Sequence, residues 1–164
     1  MEIRHATPAD AEGVNEVYNH YVLTSAATFD VEPRSLDHRK AWLEAHASFG
    51  PHRVFVAEED GAVLGFASSG PVRDRAAYAT SIETSVYVAA GHDRRGIGTR
   101  LYEALFAALA HEELHRAYAG IVPPNPGSVA LHERFGFTRV GTFDEQGRKF
   151  GRFWDVAWYE KPLG

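Results

Sequence analysis

The sequence predicts an α/β (α+β) domain in which helices flank one central sheet. Three observations carry this reading. Strand-like and helix-like segments alternate in the order β-α-α-β-β-β-α-β-α-β-β along an uninterrupted chain. Turn signals at Asp60-Gly61 and Gln146-Gly147 join neighbouring strands directly, as hairpins do. A glycine-containing loop, Gly91 to Gly98, connects a strand to a helix.

Each element has a local reason. Glu2 to His5 is the first strand. Thr7-Pro8-Ala9-Asp10 starts a helix: Thr7 caps, Pro8 suits the first helical position, and Asp10 puts negative charge in the first turn. Val14, Val17, Tyr18, Tyr21 and Val22 then recur at helical spacing and make one apolar face. Ser25 to Pro33 reads as a loop, and Ser35 caps a second helix carrying Trp42 and Leu43. Arg53 to Glu58 and Ala62 to Ser69 pair across Asp60-Gly61, because glycine tolerates the positive φ of the turn, and Ser69-Gly70-Pro71 ends the hairpin. Ser81 to Ala89 is a strand holding Val86 and Val88. Beyond the glycine loop, Leu101, Leu105, Ala108 and Leu109 form a helical stripe. Tyr118 to Val122 is a strand, Pro124-Asn125-Pro126 breaks the chain, and a short helix runs to Phe135 with Gly136 as its C-terminal cap. Phe137 to Phe143 and Phe153 to Tyr159 form the last strand pair, joined across Gln146-Gly147. No repeat, low-complexity tract or linker divides the chain, so residues 1–164 read as one domain.

Composition narrows the function classes. At 164 residues, 45% apolar and 24% charged, the chain can bury a core without staples. A net charge of −5 and the lack of a basic stripe argue against a nucleic-acid partner. The absence of cysteine excludes disulfides, cysteine nucleophiles and thiolate metal sites. Met1-Glu2-Ile3-Arg4-His5 is not a signal peptide, and no apolar run is long enough to span a membrane. The expectation is a cytoplasmic enzyme or binding domain with no membrane partner.

The glycine loop is the first chemical signal. A helix N-terminus presents unpaired N–H groups and a positive dipole end. Gly96 and Gly98 let backbone approach a phosphate closely, and Arg94 and Arg95 add positive charge. Known nucleotide motifs fit poorly. The dinucleotide fingerprint needs a glycine where Leu101 stands, and the triphosphate loop needs a Gly-Lys-Ser/Thr that is absent.

Val86-Tyr87-Val88 followed by His92-Asp93-Arg94-Arg95-Gly96-Ile97-Gly98-Thr99 resembles the acetyl-CoA loop of the GCN5-related N-acetyltransferases, whose pattern is Gln/Arg-x-x-Gly-x-Gly/Ala. Asp93 departs from it, standing where Gln or Arg is usual. Asn125 through Phe137 resembles the same family's second CoA segment, with Asn125 and Ser128 at its contact positions. Ser69-Gly70-Pro71, Arg75-Ala76-Ala77-Tyr78, Glu83-Thr84-Ser85-Val86-Tyr87-Val88 and the tail from Lys149 to Val156 are similar to the phosphinothricin N-acetyltransferase branch. The resemblance implies a mixed, mostly antiparallel sheet that splays between the strands ending near Val88 and Val122, with acetyl-CoA as co-substrate in the gap and no metal. It implies cofactor contacts from Val86, Tyr87, Val88, Arg94, Arg95, Gly96, Ile97, Gly98, Thr99, Asn125 and Ser128. It also implies a homodimer.

Acyl transfer from a thioester to an amine requires deprotonating the amine, stabilising an oxyanion and protonating the leaving thiolate. By resemblance, Glu83 is the base, the Val88 backbone N–H is the oxyanion donor, and His132 is the acid. The branch acetylates small amino-acid analogues, so a small-molecule amine partner is implied. Arg73 and Arg75 are candidate carboxylate partners, while Phe29 and Tyr78 are candidate pocket walls. Other amines or a protein N-terminus are alternative acceptors, and a non-catalytic acyl-CoA-binding domain is the alternative class. His111-Glu112-Glu113-Leu114-His115 also matches the H-E-x-x-H zinc signature, though no third ligand is evident.

Overall fold

Residues 1–164 are described by a computed structural model in which seven strands form one sheet. They are β1 (Glu2–His5), β2 (Val54–Glu59), β3 (Ala62–Pro71), β4 (Ser81–Val88), β5 (Arg116–Ile121), β6 (Thr138–Lys149) and β7 (Arg152–Pro162). Their spatial order is β1-β2-β3-β4-β5-β7-β6. All neighbours are antiparallel except β4 and β5, which run parallel and pair only from Ser81 to Glu83 against Arg116 to Tyr118. Past Glu83 the two strands part, so the sheet opens between β4 and β5, where the resemblance implies a splay.

Strand alternation sorts the core onto two faces. Val54, Val56 and Phe66 pack under α1 (Ala11–Thr24) and α2 (Leu36–Glu44), against Val14, Val17 and Leu43. Phe55, Ala57, Ala67 and Ile82 face the other way, under Leu101, Leu105 and Leu109 of α3 (Ile97–Leu109). The remaining helix, α4 (Pro126–Arg134), follows β5. Ser35 caps α2 by accepting from the His38 N–H at 3.1 Å. Gly136, at φ 83°, closes α4 with its N–H on the Glu133 carbonyl at 3.0 Å.

Two local expectations change. Thr7 is the N-cap residue as expected, but of a short 3-10 turn, Pro8–Asp10, where the Asp10 carboxylate also accepts the Thr7 N–H at 2.7 Å. The same carboxylate pairs with Arg4 at 2.7 and 2.8 Å, so Asp10 ties the first strand to the first helix. The β6–β7 hairpin turns at Phe150-Gly151, with φ 53° and 73°, and not at Gln146-Gly147. Gly147 lies inside β6 beside an irregularity in the ladder, where any Cβ would run into the Phe29 ring. Its glycine serves close packing, which mimics a turn signal in the sequence.

Candidate active site

The opening between β4 and β5 is a groove with a volume of about 940 Å³. One wall is main chain. The Ala89 N–H bonds the Leu64 carbonyl at 2.8 Å. Antiparallel strands alternate the side to which successive residues point their polar groups. The backbone groups of Val88 and Val86 therefore turn away from β3, into the opening. The Val88 carbonyl there accepts the Tyr21 hydroxyl at 2.6 Å.

The opposite wall is the entry to α3. Gly96 caps this helix in the left-handed region at φ 74° and offers no side-chain acceptor. The N–H groups of Ile97, Gly98 and Thr99 precede the first intrahelical bond, so they remain available to an anion. A Cβ at Gly98 would lie 3.1 Å from Leu131, so glycine also lets α3 approach α4. Arg94, Gly96, Ile97, Gly98, Thr99, Asn125 and Ser128 all line the groove, as do Val86, Tyr87 and Val88. Asn125 uses its side chain to cap α4, accepting the Ser128 N–H at 3.2 Å.

Arg95 lies elsewhere. Its guanidinium reaches Glu59 at 2.8 and 3.0 Å and His92 at 2.9 Å, and it is not part of the groove lining. The reason is local geometry: Arg94 takes a positive φ of 63°, which reverses the chain and sends adjacent side chains in different directions.

A second cavity of about 540 Å³ lies on the α1–α2 face of the sheet. Alternation along β4 points Glu83, Ser85 and Tyr87 into it, while Thr84, Val86 and Val88 face α3. Ser85 and Tyr87 border both cavities, so the two meet at β4. Glu83 is half-buried and forms no side-chain hydrogen bond or ion pair. Burial alone lifts its carboxyl above the ordinary range. A strand carboxylate tied to an arginine would show the opposite shift, and Glu83 has no such partner.

His132 is 3% exposed and borders the groove. Its Nδ1 lies 2.7 Å from the Ser128 carbonyl, which can only accept, so Nδ1 carries the proton. Nε2 then accepts from the Tyr102 hydroxyl at 2.9 Å. Burial lowers the pKa of the ring, and it is neutral near pH 7. This differs from the expectation of a free acid, because both nitrogens are occupied within the protein. Tyr102, fully buried beside Thr84, is the unforeseen member of this network.

The expected acceptor-side residues are less gathered. Arg73, Arg75 and Tyr78 sit exposed on the loop between β3 and β4, outside the walls of both cavities. Phe29 packs on Gly147. The H-E-x-x-H segment follows the end of α3 and is not helical. Its Glu112 is engaged by Arg53 and by the Gly50 N–H at 2.9 Å. No cluster of three or more His, Asp or Glu side chains suited to a metal ion occurs in the chain.

Sequence reasoning missed Lys149 and Arg39. The Lys149 ammonium is buried and donates to the Ser25 and Thr28 carbonyls at 2.7 and 2.8 Å and to the Tyr21 carbonyl at 3.5 Å. It thereby pins the loop after α1, whose Ser25 and Ala27 border the groove. Arg39 borders the second cavity. Its only sequence signal is its place one turn before Trp42.

Comparison with known proteins agrees with this geometry. Residues 3–158 match the acetyltransferase (GNAT) domain. A phosphinothricin N-acetyltransferase from Streptomyces coelicolor is 53% identical, over 99% of this chain and 96% of that protein. An L-methionine sulfoximine/L-methionine sulfone acetyltransferase from Salmonella typhimurium is 37% identical, over 99% of this chain and 95% of that protein. The crystal structure of a phosphinothricin acetyltransferase from Sinorhizobium meliloti in complex with acetyl-CoA superposes with a TM-score of 0.92 at 30% identity, covering 99% of this chain and 88% of that one.

Proposed function

The chain belongs to the GNAT acetyltransferases, and from that premise we propose that it transfers the acetyl group of acetyl-CoA directly to the α-amine of a small amino-acid-like acceptor of the phosphinothricin or methionine sulfoximine type. The observation that carries this reading is the meeting of two cavities at β4, one lined by backbone groups that turn away from β3 and the other by an unpaired, partly buried carboxylate. Acetyl-CoA lies in the groove, its pyrophosphate on the first turn of α3 beside Arg94 and its pantetheine along the main chain of Val86 and Val88. The acceptor enters from the Glu83 side, so donor and acceptor are held together and no acyl-enzyme is needed.

Glu83 removes a proton from the acceptor ammonium, directly or through one water. The freed amine attacks the thioester carbonyl carbon, and the resulting oxyanion is held by the Val88 N–H, a contact of a kind worth about 3 kcal/mol. The C–S bond then breaks, and the sulfur leaves with a proton drawn from the ammonium centre of the intermediate or from solvent. His132, neutral and bonded on both sides, acts by fixing Ser128 and the first turn of α4 against the cofactor. Arg73, Arg75 and Tyr78 join the acceptor by closure of the loop between β3 and β4. A second copy packs on the β6–β7 hairpin, which exposes Val140, Phe143, Phe150 and Phe153. Sedimentation showing only monomer would overturn this last point.

The test of the reaction is thiol release from acetyl-CoA over phosphinothricin, methionine sulfoximine, methionine sulfone, ordinary amino acids and polyamines. The expected outcome is turnover confined to the amino-acid-like compounds. Binding of acetyl-CoA with no transfer to any amine would leave only a binding domain.

A further inference from the structure

Four arginines here are paired with carboxylates: Arg4 with Asp10 and Glu58, Arg34 with Asp30, Arg53 with Glu112, and Arg95 with Glu59. Arg39 is more deeply buried than any of them, at 4% exposure, and has no carboxylate within ion-pair distance. Its one protein hydrogen bond runs from Nε to the Asn15 side-chain oxygen, at 3.3 Å. The two terminal nitrogens have no protein acceptor. The nearest candidate anion, Asp30, is already held by Arg34 at 2.6 and 2.8 Å and by the Tyr18 hydroxyl at 2.6 Å.

The guanidinium is clamped between two rings, with its Cζ 4.6 Å from the Tyr18 centroid and 4.7 Å from the Trp42 centroid. Stacking of this kind occupies the faces of the planar cation and supports its charge. The N–H donors lie in the plane and point out at the edge, so the clamp leaves them unspent. Such a fork matches an oxyanion bidentately. A buried cation without a partner is costly, and sites keep one where a ligand completes it.

The edge borders the cavity that also contains Glu83. Arg39 stands on α2 and Glu83 on β4, so a small molecule between them would meet a base on one side and a fixed cation on the other. We infer that Arg39 is a specificity residue that receives a carboxylate, phosphinate or sulfone oxygen of the acceptor while the amine faces Glu83. The inference rests on the acetyltransferase reading above and names the polarity of its acceptor site. The group received is either the α-carboxylate or an oxygen at the far end of the acceptor side chain, anionic in a phosphinate and neutral in a sulfone.

The experiment compares wild type with Arg39→Gln and Arg39→Lys in steady-state kinetics. Acceptors are phosphinothricin, methionine sulfone, methionine and the decarboxylated amine of methionine. In Arg39→Gln the KM for oxyanion-bearing acceptors should rise roughly tenfold or more while kcat stays within about threefold. The KM for acetyl-CoA should not change. Arg39→Lys keeps the charge without the fork and should fall between; it carries the test if the glutamine variant does not fold. A penalty that disappears for the decarboxylated amine identifies the α-carboxylate as the partner. A penalty that disappears for methionine but persists for the sulfone and the phosphinate identifies the side-chain group. Equal losses on every acceptor including the decarboxylated amine, or no loss on any, would overturn the inference while leaving the acetyltransferase reading intact. A wild type inactive on all amines would overturn both.

Discussion

The two cavities that meet at β4 are built in different ways. The groove proposed for acetyl-CoA presents backbone groups: those of Val86 and Val88 that turn away from β3, and the open first turn of α3 after Gly96. The cavity proposed for the acceptor is lined by residues brought from α1, α2, β3 and β4: Tyr18, Arg39, Trp42, Ser69 and Glu83 among them. Backbone recognition suits a constant ligand, because it needs only a chain path and a few glycines. Side-chain recognition suits a variable one, because single substitutions can retune it. The contrast predicts that changes in the groove alter cofactor affinity, while changes in the cavity alter turnover and acceptor choice.

The largest effect should come from Glu83→Gln. Loss of a positioned base typically costs about 10²–10⁴ in rate, read here as kcat/KM for the acceptor. Acetyl-CoA affinity should be unchanged, since the side chain faces the other cavity. In wild type, kcat/KM should fall on acidification through a limb lying above the ordinary carboxylate range, because burial raises this pKa. The glutamine variant should lose that limb. The linkage runs the other way for stability. A carboxyl whose folded pKa is raised contributes stability at low pH that is lost as pH rises through the folded value. At neutral pH the ionised Glu83 therefore weakens the fold, and Glu83→Gln should melt no lower than wild type. A lower melting temperature, or an acid limb that survives the substitution, would mean that Glu83 is structural.

The contrast also explains what the sequence could disclose. The groove was legible because its parts are contiguous: Val86 to Thr99 is one strand, one loop and one helix start. Element order followed from periodicity, and a splay between the strands ending near Val88 and Val122 followed from resemblance; that the pairing stops at Glu83 is seen only in the fold. The acceptor cavity was much less legible, because Tyr18, Arg39 and Glu83 come together only in the fold. Arg39, Arg73 and Arg75 all lack a carboxylate partner, and only burial and stacking set Arg39 apart from the other two. His132 shows the same limit. Its position was readable, but its tautomer depends on Tyr102, thirty residues away. Gly147 and Gly151 look alike as letters, and only one of them turns the chain.

Lys149 connects the two regions, so its removal should blur the contrast. Lys149→Met deletes a cation that bonds three carbonyls around the end of α1. Leaving buried acceptors unpaired typically costs about 1–3 kcal/mol, which chemical denaturation would register. Acetyl-CoA affinity and acceptor turnover should both decline, because Tyr21 and Ser25 line the groove while Thr28 bonds Tyr18 of the cavity. A variant that loses stability while keeping both kinetic constants would show that this loop does not set the site.

A smaller effect separates two adjacent arginines. Arg94 lines the groove, whereas Arg95 is committed to Glu59. Arg94→Glu should weaken acetyl-CoA binding about tenfold, the scale of one charge-assisted contact, measured by calorimetry. Arg95→Glu should weaken it clearly less, with its main cost in the link to β2. The reverse ranking would mean that the loop rearranges on binding and that Arg95 turns into the groove.

The smallest effect belongs to Asp93, the residue that departs from the usual loop pattern. It is exposed and borders the groove, so a pyrophosphate at the start of α3 would feel its charge. Burial raises the pKa of the nearby Tyr21 hydroxyl, and the charge of Asp93 adds to that rise. An exposed pair of like charges is heavily screened, so the penalty should be below about 1 kcal/mol. Asp93→Ala should therefore tighten acetyl-CoA binding by about twofold at low ionic strength, with the gain shrinking as salt is added. Acceptor kinetics should not respond, since Asp93 does not border that cavity. Weaker binding in the alanine variant would instead mean that the carboxylate organises the loop, and that even the backbone-built half of the site depends on one side chain.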